Sequence, residues 1–302
     1  GLYDTFGFDS GGERMGAISP NGKVVILTSY NWSLGGAPTF WTPEGGSVAM
    51  MDPDEIRAMV QDVNDDMTVV GWFGSFYDLE GPAFRWTTGG GLETLEPIPG
   101  AIESVATAVS RDGLAFGINV LNELERRLVR WSKDGTPTDL GGQFEPWRVV
   151  HEIGGPSAVS EDARVVVGIM GPFVHTAWFW NARDGFVDLY TYLLEHGADL
   201  HGWRELHAVG VSADGAWIVG HGFNADDPDE TIEAFRARIE TYCAPDCNAD
   251  GRLNVNDFIC FQARWKKADD YGDFNMDGKR NINDFIAFQA AFQAARSAGG
   301  CP

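Results

Sequence analysis

Residues 246–257 read Asp-Cys-Asn-Ala-Asp-Gly-Arg-Leu-Asn-Val-Asn-Asp, and residues 273–284 read Asp-Phe-Asn-Met-Asp-Gly-Lys-Arg-Asn-Ile-Asn-Asp. Both runs put oxygen-bearing side chains at positions 1, 3, 5, 9 and 12 and glycine at position 6. Ca²⁺ is a hard cation that takes about 6–8 oxygen ligands, and one tight loop can wrap it if a residue without a Cβ takes the sharp turn. In the first run Asp246, Asn248 and Asp250 hold positions 1, 3 and 5, Arg252 offers a backbone carbonyl at position 7, Asn254 sits at position 9 and Asp257 closes the loop. Asp273, Asn275, Asp277, Lys279, Asn281 and Asp284 repeat that set. The expected cofactor is therefore Ca²⁺, two ions, one per loop.

The elements that must position these loops are short helices. The two runs are offset by 27 residues, and the same offset carries Phe258 onto Phe285, Phe261 onto Phe288, Gln262 onto Gln289 and Trp265 onto Phe292. Phe258, Phe261 and Trp265 fall at i, i+3 and i+7, one apolar helix stripe, so the two stripes are expected to pack on each other. No apolar helix precedes either loop. Two loop–helix units with Asp at position 12 resemble the type I dockerin module over residues 246–292. The resemblance implies a calcium-dependent module whose outer helix faces anchor its carrier outside the cell, on a cohesin-like receptor or another cell-envelope protein. Dockerins that bind cohesin carry a recognition pair, often Ser-Thr, at positions 10 and 11. Here Val255-Asn256 and Ile282-Asn283 stand there, a departure at the positions on which cohesin recognition depends.

All four cysteines lie in this module. Cys247 and Cys260 occupy positions that become Phe274 and Ala287 in the second unit, as expected if they bond each other. Cys243 and Cys301 bracket the module, and a bond between them would clamp its ends. Four cysteines allow three pairings. A thiolate zinc site would need a nearby His or a second close pair, which the sequence does not offer. Disulfides point to an extracellular or cell-surface, secreted protein.

The 302 residues carry 44 acids against 22 bases. Residues 1–242 hold 36 acids and 15 bases, so the charge sits in the larger part. Such a surface repels nucleic acid and anionic lipid. No apolar run reaches the ~20 residues of a membrane span, so membrane insertion is not expected. The chain begins at Gly1, as a processed secreted protein or a trimmed chain would. Its length suits two domains, residues 1–242 and 243–302.

The first domain repeats. Ala108-Val109-Ser110-Arg111-Asp112-Gly113 has counterparts around Ser19, Asn64, Ser160 and Ser212, a mean period of about 48 residues. Each turn separates two β runs, as Asp-Gly and Asn-Gly do in hairpins. A third strand follows, carrying Trp41, Trp86, Trp131 and Trp180, with Ala237 in the fifth unit; a fourth short strand comes next. Four strands per unit is the pattern of a propeller blade. The fifth unit stops at its third strand, and Tyr3–Gly7 at the other end reads as the missing one, which would close the ring. The expected fold is thus mainly β with a small α C-terminal module: a five-bladed β-propeller followed by a dockerin-like pair of loop–helix units. The units resemble the HAF repeat of extracellular proteins, with its Ala-Val-Ser-x-Asp-Gly…Val-Val-Gly…Phe-Arg-Trp run, over most of residues 14–240; that resemblance implies no activity.

The repeated Trp residues read as core wedges, and Trp32, Trp72 and Trp147 as surface aromatics. Leu189–Trp203 reads as an inserted helix stopped at Gly197, and Asn224–Glu230 as a solvated acidic loop. His151-Glu152 lacks the second His of a zinc-protease motif, and there is no Gly-x-Ser-x-Gly or phosphate loop. With no catalytic motif, no catalytic residue is assigned. The expected function is a noncatalytic binding or scaffolding propeller held outside the cell by its calcium module. The alternative is a carbohydrate-active enzyme or lectin, with carbohydrate as the ligand and carboxylates that converge only in the fold.

Overall fold

Serine builds the first turn of four of the five repeats. The amides of Val24, Leu114, Val165 and Trp217 donate to the hydroxyls of Ser19, Ser110, Ser160 and Ser212. Those of Ser160 and Ser212 donate in turn to Asp162 and Asp214. These side chains satisfy backbone donors that a tight turn leaves unpaired. Asn64 fills the position in the second repeat: its Oδ1 accepts from the Thr68 amide at 2.9 Å, and its Nδ2 donates to the Ser110 and Arg111 carbonyls of the next turn.

The structure, a computed structural model, describes residues 13–31, 35–51, 58–74, 79–122, 125–142, 155–170, 176–224, 232–239 and 243–300. The chain is mainly β, with few helices. Its strands form five antiparallel meanders among the described residues. Sheet 1 is β1 (Glu13–Ile18), β2 (Val25–Asn31), β3 (Gly35–Thr42) and β4 (Gly46–Ala49); sheet 2 is β5 (Ala58–Val63), β6 (Val69–Gly74), β7 (Leu79–Thr87) and β8 (Gly91–Thr94). Sheet 3 is β9 (Glu103–Val109), β10 (Ala115–Asn122), β11 (Glu125–Trp131) and β12 (Pro137–Gly141); sheet 4 is β13 (Gly155–Val159), β14 (Val166–Met170), β15 (Thr176–Asn181) and β16 (Gly185–Asp188). Sheet 5 has three strands, β17 (Trp203–Val211), β18 (Trp217–Asn224) and β19 (Ile232–Arg238).

The sheets follow one another in chain order, with first strand against first strand: β1 on β5, β5 on β9, β9 on β13 and β13 on β17. Their turns are linked too, since the Asn21 amide donates to Asp65, that of Arg111 to the Glu161 carbonyl and that of Glu161 to the Ala213 carbonyl. Every first strand carries one extra residue at the same point: Gly16, Gln61, Thr107, Ser157 and Val209. The bulge pushes a carbonyl toward the second strand. A Cβ at Gly71, Gly117, Gly168 or Gly220 would lie 1.9, 1.8, 2.1 or 1.9 Å from the carbonyl oxygen of Met59, Val105, Gly155 or His207. In sheets 2–5 the glycine of the Val-Val-Gly run is thus required by the carbonyl opposite it, whereas sheet 1, whose bulge residue is Gly16, holds Leu27 at that point.

The core lies between sheets. In sheets 1–4 the second strands turn Val24 and Ile26, Thr68 and Val70, Leu114 and Phe116, Val165 and Val167 into the next sheet, none more than 8% exposed. The matching Trp217 and Val219 of sheet 5 are 38% and 45% exposed. No strand of another sheet pairs with sheet 5 among the described residues, and the proposed closing strand, Tyr3–Gly7, lies outside them. Trp131 and Trp180 are buried wedges, as expected, while Trp41 and Trp86 are half-buried. Trp72 corrects the expectation of a surface aromatic: it follows Gly71 on β6 and is 3% exposed in a cluster with Met59, Val105 and Phe116. Trp32, Trp147, His151-Glu152 and residues 225–230 lie outside the described residues. The insertion does hold a helix, α1 (Leu189–Glu195), capped by Asp188 and packed on sheets 4 and 5 through Leu189 and Leu193.

Candidate metal centre

Each of the two loops leads into a helix, α2 (Val255–Lys267) and α3 (Ile282–Ser297). Both helices begin with a capping box. Asn254 accepts from the Asn256 amide at 2.8 Å while Asp257 Oδ2 accepts from the Asn254 amide at 2.8 Å; Asn281 and Asp284 repeat this at 2.9 and 2.7 Å. Positions 9 and 12 therefore both start the helix and face the loop. The helices meet through the expected stripes. Phe261 stacks on Phe288 at 4.4 Å, Phe258 lies 4.7 Å from Phe292, and Trp265 lies 5.4 Å from Phe285.

The loops are superimposable in their hydrogen bonding. Asp246 accepts from the amides of Asp250 and Gly251 at 3.2 and 2.9 Å, and Asp273 from those of Asp277 and Gly278 at 3.1 and 3.0 Å. Asn248 and Asn275 donate to Asp250 and Asp277. The carbonyls of Arg252 and Lys279 accept from Asn254 and Asn281 at 3.1 Å. Asp257 and Asp284 are fully buried at the floor of the loops. Burial raises the pKa of each above the ordinary carboxylate value, and the charges of Asp246 and Asp250, or of Asp273 and Asp277, add to the rise. Asp284 Oδ1 receives a long bond, 3.4 Å, from the Asn275 amide; Asp257 Oδ1 is buried and has no hydrogen-bond partner within 3.5 Å among the described residues.

Among the described residues, no three His, Cys, Asp or Glu side chains are gathered as they would be around a metal ion. The carboxylates are turned instead to the loops' own amides. The donor set is nonetheless one of hard oxygens, and the orphaned Asp257 oxygen is an acceptor that a bound cation would satisfy, so the residues present fit calcium. Cys247 and Cys260 are joined, as expected, and tie the first loop to α2. Cys243 is also disulfide-bonded, and its expected partner, Cys301, lies outside the described residues.

The second loop is seated on the sheets. Met276, at position 4, enters the core between sheets 3 and 4 beside Leu114, Phe116, Val166 and Trp180, whereas Ala249, its counterpart in the first loop, is exposed. Arg130 of β11 donates to Asp273 Oδ2 at 2.5 Å, and both side chains are buried. Burial lowers the Arg130 pKa from its usual value, opposed by the charges of Asp273 and Asp270; burial also pushes Asp270 up to about 6. Among the described residues the buried Arg130 Nε has no hydrogen-bond partner, and Arg130 lines a cavity of about 10 Å³ together with Asp270 and Tyr271. The Arg164 guanidinium lies 4.6 Å over the Phe274 ring. Lys279 Nζ donates to Asp134 at 2.9 Å, at a 270 Å³ cleft between the turns of sheet 3 and the second loop. Ser132, Lys279 and Thr136 hold the Asp134 carboxyl well below its usual range. Sequence reasoning did not find Arg130, Asp134, Arg264 or Met276. One signal was present: β8 places Glu93 across from Arg85, whereas β12 places Thr138 across from Arg130.

No family model matches this chain. No curated protein matches it either. Solved structures similar to it include a protein described as TolB from Agrobacterium tumefaciens, at 13% identity over 76% of this chain and 78% of that one, TM-score 0.49. TolB from Acinetobacter baumannii is similar at 9% identity over 75% of this chain and 55% of that one, TM-score 0.45. The β-propeller domain of the Trilobed protease from Pyrococcus furiosus is similar at 12% identity over 74% and 68%, TM-score 0.47. These are likenesses in chain course alone.

Proposed function

We propose that this protein is a secreted or cell-surface, noncatalytic five-bladed propeller that binds or scaffolds, carrying a C-terminal dockerin-like module stapled by two calcium ions and used for attachment. One observation carries the attachment reading. Val255 and Ile259 on α2, and Ile282 and Ile286 at the matching positions of α3, are each more than half exposed. Residues four apart share a helix face, so two equivalent apolar stripes stand in water on a module of ~60 residues that has little apolar surface to spare. A protein of the cell envelope, cohesin-like in offering an apolar surface, fits them.

Calcium's role here is to bind the six loop carboxylates, whose mutual repulsion opposes folding of so small a unit, and to add its binding free energy to the folded form. The test is retention of the full chain on envelopes of the source cell. Wild type is expected to be retained in calcium and released by EDTA, and Ile259→Asp with Ile286→Asp to abolish retention without changing the melt. Equal retention of the double variant refutes the attachment reading. In parallel, a polysaccharide-hydrolysis screen that finds turnover refutes the noncatalytic one.

A second reading has its own observation. The contacts of Met276 and Arg130 with the second loop fit a C-terminal cap packed on its own propeller. In that case the isolated module stays unfolded even with calcium.

A further inference from the structure

Arg85 and Arg130 both occupy the Arg of the Phe-Arg-Trp position, on third strands of neighbouring sheets, and both are buried. Arg85 is served by its own repeat. Its Nε and Nη2 donate to Glu93 at 3.0 and 2.6 Å, from the directly opposed position on β8. Its remaining donors reach across the seam to the carbonyls of Gly113, Ser132 and Lys133 in sheet 3. Arg130 faces Thr138 instead, so its own sheet places no carboxylate opposite it. Asp273 of the second loop provides that carboxylate at 2.5 Å. The carbonyls of Ala182 and Arg183, just past the third strand of sheet 4, are met at 3.3 and 3.1 Å by Arg264 of α2. At the seam between sheets 3 and 4 the module thus provides a carboxylate for Arg130 and a donor for the Ala182 carbonyl, the counterpart of the Lys133 carbonyl that Arg85 meets between sheets 2 and 3.

We propose that Asp273 is a shared carboxylate: the first ligand of the second calcium loop and, at once, the counter-ion that sheet 3 lacks for Arg130. The second site is then built by both parts of the chain, while the first, where Asp246 accepts from amides of its own loop, belongs to the module. The ligand half rests on the calcium reading above; the counter-ion half does not. A buried guanidinium without its carboxylate is costly, because desolvation is no longer offset. Asp273 therefore matters to the propeller even when no calcium is present, and Asp246 does not.

Asp273→Asn, Asp246→Asn and Asp273→Asn with Thr138→Glu, each in the full chain, decide this. In EDTA, Asp273→Asn is expected to lower the propeller's melting temperature by roughly 5–10 °C, and Asp246→Asn by less than about 2 °C. Thr138→Glu gives Arg130 the cross-strand partner that Arg85 has, and is expected to recover at least about half of the loss. In a calcium titration each Asn variant is expected to weaken one of two sites by more than about tenfold, and Thr138→Glu not to restore the site lost with Asp273. If Asp273→Asn fails to fold, recovery of a folded propeller in the double variant still carries the proposal, and failure of the double variant overturns it. Equal EDTA melts for the two single variants overturn the counter-ion half. A wild-type chain that takes up no calcium overturns the ligand half together with the reading on which it rests.

Discussion

Gly117→Ala is the smallest change that tests whether the repeat is built as described. The added Cβ would stand 1.8 Å from the Val105 carbonyl oxygen and 2.8 Å from the Ala106 Cα, where real Cβ contacts do not fall below 3.0 Å. The obstruction is backbone, so no rotamer change relieves it, and β9 and β10 must separate by more than an ångström (about 1.2 Å). Overpacking of this kind costs about 1–3 kcal/mol, and loss of a flanking pair of ladder hydrogen bonds adds about 1–2 kcal/mol. A total near 3 kcal/mol corresponds to a fall of roughly 10 °C in a domain of this size. Gly22→Ala is the control. Gly22 has φ +72° with nothing within 4 Å of the added carbon, so only left-handed strain of about 1 kcal/mol, a few degrees, is expected. Thermal unfolding followed by circular dichroism in EDTA reads both. A Gly117→Ala protein that melts within about 2 °C of wild type, or no lower than Gly22→Ala, refutes the bulge as the reason for the glycine.

Deleting residues 1–8 is expected to lower the propeller's melting temperature, because sheet 5 would lose its proposed fourth strand and be left with an unpaired edge; an unchanged melt refutes closure by the N-terminal segment. Asp62 accepts from the Val109 and Val63 amides, and burial raises its pKa to about 6 from 3.8. Between about pH 4 and 6 the folded chain therefore holds a proton that the unfolded chain has released, so Asp62's contribution makes stability fall as pH rises through that window. Asp62→Asn is expected to flatten this part of a denaturation-midpoint profile, and an identical profile in wild type and variant refutes the assignment.

What the sequence made legible was whatever one repeat does alone. Ser110 and Asp162 belong to turns closed within a few residues, so their pattern shows in the letters. The hairpins, the paired Phe stripes and the Cys247–Cys260 bond are of the same local or twofold-repeated kind. Trp72 lies off the third-strand register that marks the other buried Trp residues, so nothing in the letters shows it as core; it is a second-strand residue whose side chain wedges between sheets. The seating of the second loop was not legible for a different reason. Arg130 is separated by 143 residues from Asp273, and within its own repeat it looks like Arg85. Only the replacement of Glu93 by Thr138 at the opposed position marks it as an arginine awaiting a partner.

That partner also explains where the module sits. The chain passes from Ile239, at the end of sheet 5, to Cys243 at the start of the module. Yet the module lodges between sheets 3 and 4 through Met276, Asp273 and Arg264. Covalent attachment after one sheet and non-covalent attachment at the two before it brace three consecutive sheets together. Trp217 and Val219 stand exposed elsewhere, on the far side of sheet 5. The module lies at the seam between sheets 3 and 4. It strengthens a seam whose own repeat contact has been given up, and it does so with the loop that calcium would bind, while Val255, Ile259, Ile282 and Ile286 remain in solvent. If the module attaches the chain as proposed, this seating fixes the orientation of sheets 3 and 4 relative to the anchor, which a free tether would not do.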